Sequence, residues 1–177
     1  MRYLKVTAQD RSGNHRADTV LLHFFETTGC DTEGRLVHKA YALDITADGK
    51  VDFQAGDVNN DGKDNKRDEK LLRKFADAYL KLNWFNPGIS WQRYLKIFVE
   101  DDSQDGSPDT VRLHFHKGEG TPRDETIVYT ASAYDTNNDG KLDSLIHFDM
   151  DNDCDIDAVD QGLVQLLSGE YLKFQWK

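Results

Sequence analysis

The sequence is written twice, and that doubling is what most limits its fold. Tyr3-Leu4-Lys5-Val6 returns as Tyr94-Leu95-Lys96-Ile97. The stretch from Asp18 to Phe24 returns from Asp109 to Phe115, and Asp48 to Asp52 returns as Asp139 to Asp143. Tyr79-Leu80-Lys81 with Trp84 returns as Tyr171-Leu172-Lys173 with Trp176. Roughly a third of about 82 aligned positions are identical, well above chance. A chain of 177 residues therefore divides into module 1 at 1–85, a linker at 86–93 whose Pro87-Gly88 makes a turn, and module 2 at 94–177.

Within each copy the apolar period is mostly two. Val20, Leu22 and Phe24 form one face, as do Val111, Leu113 and Phe115. Leu4/Val6 and Leu95/Ile97 predict a strand before these. Leu36 to Leu43 and Ile127 to Tyr134 predict a third, and Val51 to Phe53 and Leu142 to Phe148 a fourth. Leu71, Leu72, Phe75, Ala78, Tyr79 and Leu82 then sit at helical spacing, as do Val159, Leu163, Val164, Leu166 and Leu167, with Gly169 expected to end the second helix. The expected class is α+β: two tandem repeats, each of about four antiparallel strands followed by one helix.

The turns between these elements are acidic in a regular way. Asp44, Thr46, Asp48 and Asp52 stand at loop positions 1, 3, 5 and 9, with Gly49 at 6 and the Lys50 carbonyl at 7. Asp135, Asn137, Asp139 and Asp143 repeat this with Gly140 and Lys141. So do Asp101, Ser103, Asp105 and Asp109 with Gly106 and Ser107. Asp10, Ser12, Asn14 and Asp18 are a poorer version without the glycine. Before the helices the loop lengthens to twelve. Asp57, Asn59, Asp61, Asn65 and Asp68 hold positions 1, 3, 5, 9 and 12, with Gly62 and Lys63 between. Asp149, Asp151, Asp153, Asp157 and Asp160 match them, with Cys154 and Asp155 at 6 and 7.

Ca²⁺ takes six to eight hard oxygen ligands, and a coiled loop converges oxygens from alternate positions on one point. Mg²⁺ demands a stricter octahedron, and no thiolate or imidazole occupies a ligand position for Zn²⁺. One such loop is an ordinary Asp-Gly turn as readily as a metal site. Six at equivalent places are another matter, and they hold 19 of the 25 aspartates. We therefore expect up to about six Ca²⁺. Six would bring about +12 against a net charge of -10.

The stretches from Gly56 to Phe75 and from Asp149 to Leu167 resemble the calcium-loop-helix units of bacterial dockerins, relatives of the EF-hand. The resemblance implies ligand roles for the five residues of each twelve-position loop named above. The hairpin loops look like the calcium turns of FG-GAP and thrombospondin type 3 repeats.

The expected function is a calcium-stabilised structural or adhesive module of a secreted or surface assembly, with protein partners and an extracellular or cell-surface address. The alternatives are an EF-hand sensor, for which two methionines give a poor groove, and a carbohydrate-binding or hydrolytic module. No catalytic motif is present, so an enzyme is not expected. His114 and His116 share a strand face and are read as solvated residues rather than metal ligands. Trp84, Trp91 and Trp176 are read as packing, with sugar stacking as the alternative. Met1 to Lys5 carry no apolar signal-peptide core, and no apolar run reaches 18 residues, so membrane insertion is not expected. No basic stripe offsets the acid, so nucleic acid is not expected either. Cys30 and Cys154 are one disulfide or two thiols.

Overall fold

Period-two patterning builds the strands. In the computed structural model, which describes residues 1–29 and 34–176, β1 (Arg2–Asp10), β2 (Thr19–Glu26), β3 (Arg35–Leu43) and β4 (Phe53–Ala55) lead into α1 (Lys66–Tyr79). A two-residue β5 (Asn86–Pro87) follows. Then come β6 (Arg93–Glu100), β7 (Thr110–Lys117), β8 (Ile127–Tyr134), β9 (Ser144–Ile146) and α2 (Ala158–Lys173). The fourth strands are short because the flanking acidic loops take up the residues on either side.

Two tandem modules, each of four strands and a helix, do not form. The nine strands make one sheet in the order β4-β3-β2-β1-β6-β7-β8-β9, with β5 beside β1. β1 and β6 pair antiparallel, Leu4 opposite Ile97 and Val6 opposite Leu95. The reason is physical. As separate edges β1 and β6 would expose unpaired backbone beside the buried Leu4, Val6, Leu95 and Ile97. The segment read as a linker is bound into the sheet. The Asn86 side chain donates to Ala8 O (3.2 Å) and Arg93 O (2.7 Å) and accepts from Arg93 N–H (2.7 Å).

One core lies between the sheet and both helices. Leu4, Val6, Val20, Leu22, Phe24, Ile97, Val111, Leu113 and Phe115 meet Leu72, Phe75, Tyr79, Leu163, Val164, Leu167 and Tyr171. Ala40, Ala42, Ala131 and Ala133 are the small inward residues of β3 and β8, which lets the helices lie close. Gly56 has φ +129°, and a Cβ there would sit 2.5 Å from that of Ala40. α2 does not end at Gly169 but runs on to Lys173. Tertiary packing overrides the glycine, because Tyr171, Phe174 and Trp176 are all buried.

The tails after the helices cross. Trp84 follows α1 yet packs on Phe115 and Tyr129 of β7 and β8, its indole N–H donating to Tyr94 O (3.3 Å). Trp176 follows α2 yet packs on Phe24 and His38 of β2 and β3, donating to Tyr3 O (3.2 Å).

Candidate metal centres

All six acidic loops follow one backbone path. Position 4 is left-handed in each: Gly13, Ala47, Asn60, Gln104, Asn138 and Asn152 have φ between 56° and 76°. So is position 6, where His15, Gly49, Gly62, Gly106, Gly140 and Cys154 lie between 66° and 89°. The Asp10 loop, which lacks the glycine, makes the same turn with His15.

The first aspartate organises each loop. The position-6 N–H donates to it throughout: His15 to Asp10, Gly49 to Asp44, Gly62 to Asp57, Gly106 to Asp101, Gly140 to Asp135 and Cys154 to Asp149. The position-5 N–H donates to the same carboxylates at 3.0–3.2 Å. The side chain at position 5 accepts in turn from the N–H at 7. Arg16 donates to Asn14, Lys50 to Asp48, Lys63 to Asp61, Ser107 to Asp105, Lys141 to Asp139 and Asp155 to Asp153.

Closure differs between the two loop kinds. In the hairpins the position-9 carboxylate folds back: Asp18 accepts from Ser12 N–H, Asp52 from Thr46, Asp109 from Ser103 and Asp143 from Thr136. In the helix-linked loops position 12 takes that task. Asp68 accepts from the N–H groups of Val58, Asn59 and Asn65, and Asp160 from those of Met150, Asp151 and Asp157. Asn65 and Asp157, at position 9, are the N-caps of α1 and α2, each completing a capping box with the acid three residues on. The capping role is legible in the sequence as Asn or Asp followed three residues later by an acid, but the metal reading of the same residues obscured it.

A cation about 2.4 Å from each ligand needs those oxygens within about 4.8 Å of one another. Among the described residues three trios meet this: Asp57, Asp61 and Asp68; Asp101, Asp105 and Asp109; Asp149, Asp151 and Asp153. The loops at Asp10, Asp44 and Asp135 gather no such trio. His114 and His116, with ring centroids 6.2 Å apart, belong to none. Cys154 is exposed and free, while Cys30 lies outside the described residues.

Strand direction places three loops at each end of the sheet. Residues 10–18, 44–52 and 149–160 meet around a cavity of about 390 Å³ lined by His15, Asp44, Gly49, Asp151 and Asp153. At the other end the Asn138 side-chain amide donates to Asp105, joining two loops.

The electrostatics follow the donors. The Ser107 hydroxyl and N–H, helped by Asn138, hold Asp105 down to about 2. The Thr46 N–H lowers Asp52, and the Thr136 hydroxyl lowers Asp143. Asp151 moves up, first through burial and then through the charges of Asp153, Asp160 and Asp149. A carboxylate lowered in the fold contributes stability that is present above its unfolded pKa of about 4 and lost as pH falls through the folded value. Acid titration should accordingly unfold the calcium-free chain between about pH 4 and pH 2, followed by circular dichroism.

Asp160 is 1% exposed. Asp160→Ala strips three N–H groups of their acceptor and should cost about 3 kcal/mol or more, a fall in melting temperature of about 6–12 °C. The melt is taken in saturating calcium. An unchanged melt would show that the carboxylate closes nothing.

Comparison with family models, with curated proteins and with solved structures finds no match to this chain. Among the described residues, no helix is long and apolar enough to cross a membrane.

Proposed function

We propose that this chain is a calcium-binding, calcium-stabilised structural or adhesive module of a secreted or cell-surface assembly. The observation that carries the reading is the shared path of the six loops, with three carboxylate trios gathered on it. A left-handed Gln104, in the loop of the Asp101, Asp105 and Asp109 trio, costs about 1 kcal/mol or more. A loop that spends this to bring carboxylates together gains when a divalent cation neutralises them. The resemblance of the helix-linked loops to dockerin units points the same way, and an extracellular calcium level suits weak loops of this kind.

The sensor alternative is less well supported. Its helices must swing open to offer a groove, whereas the apolar faces of α1 and α2 are already packed in the core. We read the chain as a binding and structural module rather than an enzyme.

Native mass spectrometry across a calcium titration tests the stoichiometry. At least three ions should bind, one per trio, with further ions filling the loops at Asp10, Asp44 and Asp135 at higher calcium. Asp57→Ala, Asp101→Ala and Asp149→Ala should each remove one of them. A spectrum without bound calcium at millimolar concentration would end the proposal.

A further inference from the structure

The helices cover one face of the sheet. Across the other face, one transverse row of side chains consists of cations and imidazoles. Strand by strand they stand directly opposite one another: Lys39 and His23, His23 and Lys5, Lys5 and Lys96, Lys96 and His114. At a strand spacing of about 4.8 Å the row is about 19 Å long.

At its centre Lys5 and Lys96 stand directly opposite, which is costly, because like charges so placed destabilise a sheet. The chain carries 32 acidic residues against 22 Lys and Arg. Even so, among the described residues no ion pair joins Lys5, Lys39 or Lys96 to a carboxylate. Aromatic rings hold Lys5 and Lys96 instead. Lys5 Nζ lies 4.1 Å from the Tyr94 ring centroid, and Lys96 Nζ lies 4.8 Å from that of Phe98 and 5.2 Å from that of Tyr3. Lys5 also donates to Gly120 O (2.7 Å). Burial first, and neighbouring cationic groups second, push His23 and His116 down to about 4, so both are neutral hydrogen-bonding rings at pH 7. Beside the row, His116 is 1% exposed and bonds Thr126 through Nδ1, but its Nε2 has no partner. The opposing field comes from Asp124, between β7 and β8, and from Glu100 at His114.

We propose that this row binds a linear acidic polysaccharide, the lysine ammonium groups taking its carboxylates and the imidazoles its hydroxyls. Charge complementarity selects an anion. The acidic loops select a thin one. Asp10, the last residue of β1, and Asp101, the residue after β6, each lie five residues on from Lys5 and Lys96, about 17 Å away on opposite sides. A nucleic-acid duplex carries about one charge per 1.7 Å and would press phosphates toward both rims of acid. Single-stranded nucleic acid needs a succession of open aromatic platforms for its bases. Tyr3, Tyr94 and Phe98 are buried, with the lysines over their faces, while the exposed Trp91, stacked on His23, offers a ring to a base or a sugar alike, and the oligothymidylate arm of the test decides between them. A pyranose unit is about as long as the strand spacing, so each strand can present one cation or imidazole to each sugar. The inference goes beyond the calcium reading and does not rest on it, since the row stands on strands and not on loops.

The test is isothermal titration at low salt on calcium-loaded protein freed of excess calcium. The probes are a galacturonate oligomer long enough to span the row, its neutral methyl ester, and an oligothymidylate of equal charge. The galacturonate should bind, with the ester at least about tenfold weaker and the oligothymidylate weaker than the galacturonate. The pair Lys5→Gln and Lys96→Gln should lose about tenfold or more. The pair Lys5→Arg and Lys96→Arg should retain binding, and Lys81→Gln on the helix side should leave it unchanged. Melts of every variant check the fold. If the glutamine pair does not fold, the exposed Lys39→Gln carries the test, with a loss of about threefold. Equal binding of the ester, tighter binding of the oligothymidylate, unaltered binding by the glutamine variants, or no binding at all overturns the proposal.

Discussion

Chelation of calcium should lower the melting temperature of this chain by tens of degrees. An ion that binds only the folded state at a hundred times its dissociation constant contributes about 2.7 kcal/mol. Three filled trios thus contribute about 8 kcal/mol, and a chain of this size shifts by roughly 2–4 °C per kcal/mol. The expected fall is about 16–32 °C. In the calcium-free Asp149 loop, Asp151 is pushed up first by burial and then by the charges of Asp153, Asp160 and Asp149, a repulsion that the ion would cancel. Both helices should loosen together on chelation, because Asp68 and Asp160 serve the loop and the helix N-terminus at once. Differential scanning calorimetry with and without chelator makes the measurement, and magnesium in place of calcium should restore only part of the loss. A melt indifferent to the chelator would remove the calcium reading.

The local features of this molecule were legible and the long-range ones were not. Loop positions 1, 5, 6 and 7 are fixed by bonds spanning two to five residues, so the spacing of Asp44, Asp48 and Gly49 carries the turn by itself. The alternation of Val20, Leu22 and Phe24 is equally local. Alternation does not say which strand lies next door, and β1 has the same apolar pattern whether its neighbour is solvent or β6. The cation row was hidden for that reason. Lys5, His23, Lys39, Lys96 and His114 are isolated in the chain and become a line only through the registers. Three lysines and two imidazoles so aligned do not offset the acid of the chain, but they do set one line of cations across the sheet. Trp84 and Trp176 were visible as a matched pair, but the crossing of their tails depends on where α1 and α2 end. The expected stop at Gly169 was overridden by packing of Tyr171, Phe174 and Trp176.

Cutting the chain in its middle should abolish folding of both pieces, even in excess calcium. Residues 1–85 alone would expose the β1 edge that pairs with β6. They would also leave Phe24 and His38 without Trp176, which lies 5.6 and 5.1 Å from them, ring centroid to ring centroid, and covers them edge-on. Residues 94–177 alone would leave Phe115 and Tyr129 without Trp84. A piece of about 84 residues already buries proportionately little surface, and here each would lose the sheet seam and the tryptophan at once. Mixing the two pieces should restore the fold as a one-to-one complex, because each supplies the seam strand and the tryptophan that the other lacks, although the contacts of residues 86–93, Asn86 among them, stay lost. Within the intact chain the same dependence is read from Trp176→Ala, which removes a side chain that is 2% exposed and should cost about 3–5 kcal/mol, with Trp176→Phe recovering part of it. Calorimetry and analytical ultracentrifugation of the pieces, separate and mixed, decide the matter. If both pieces are monomeric and melt as high as the full chain, the shared core does not hold the protein together, and the β1–β6 seam is only a contact between two independent bodies.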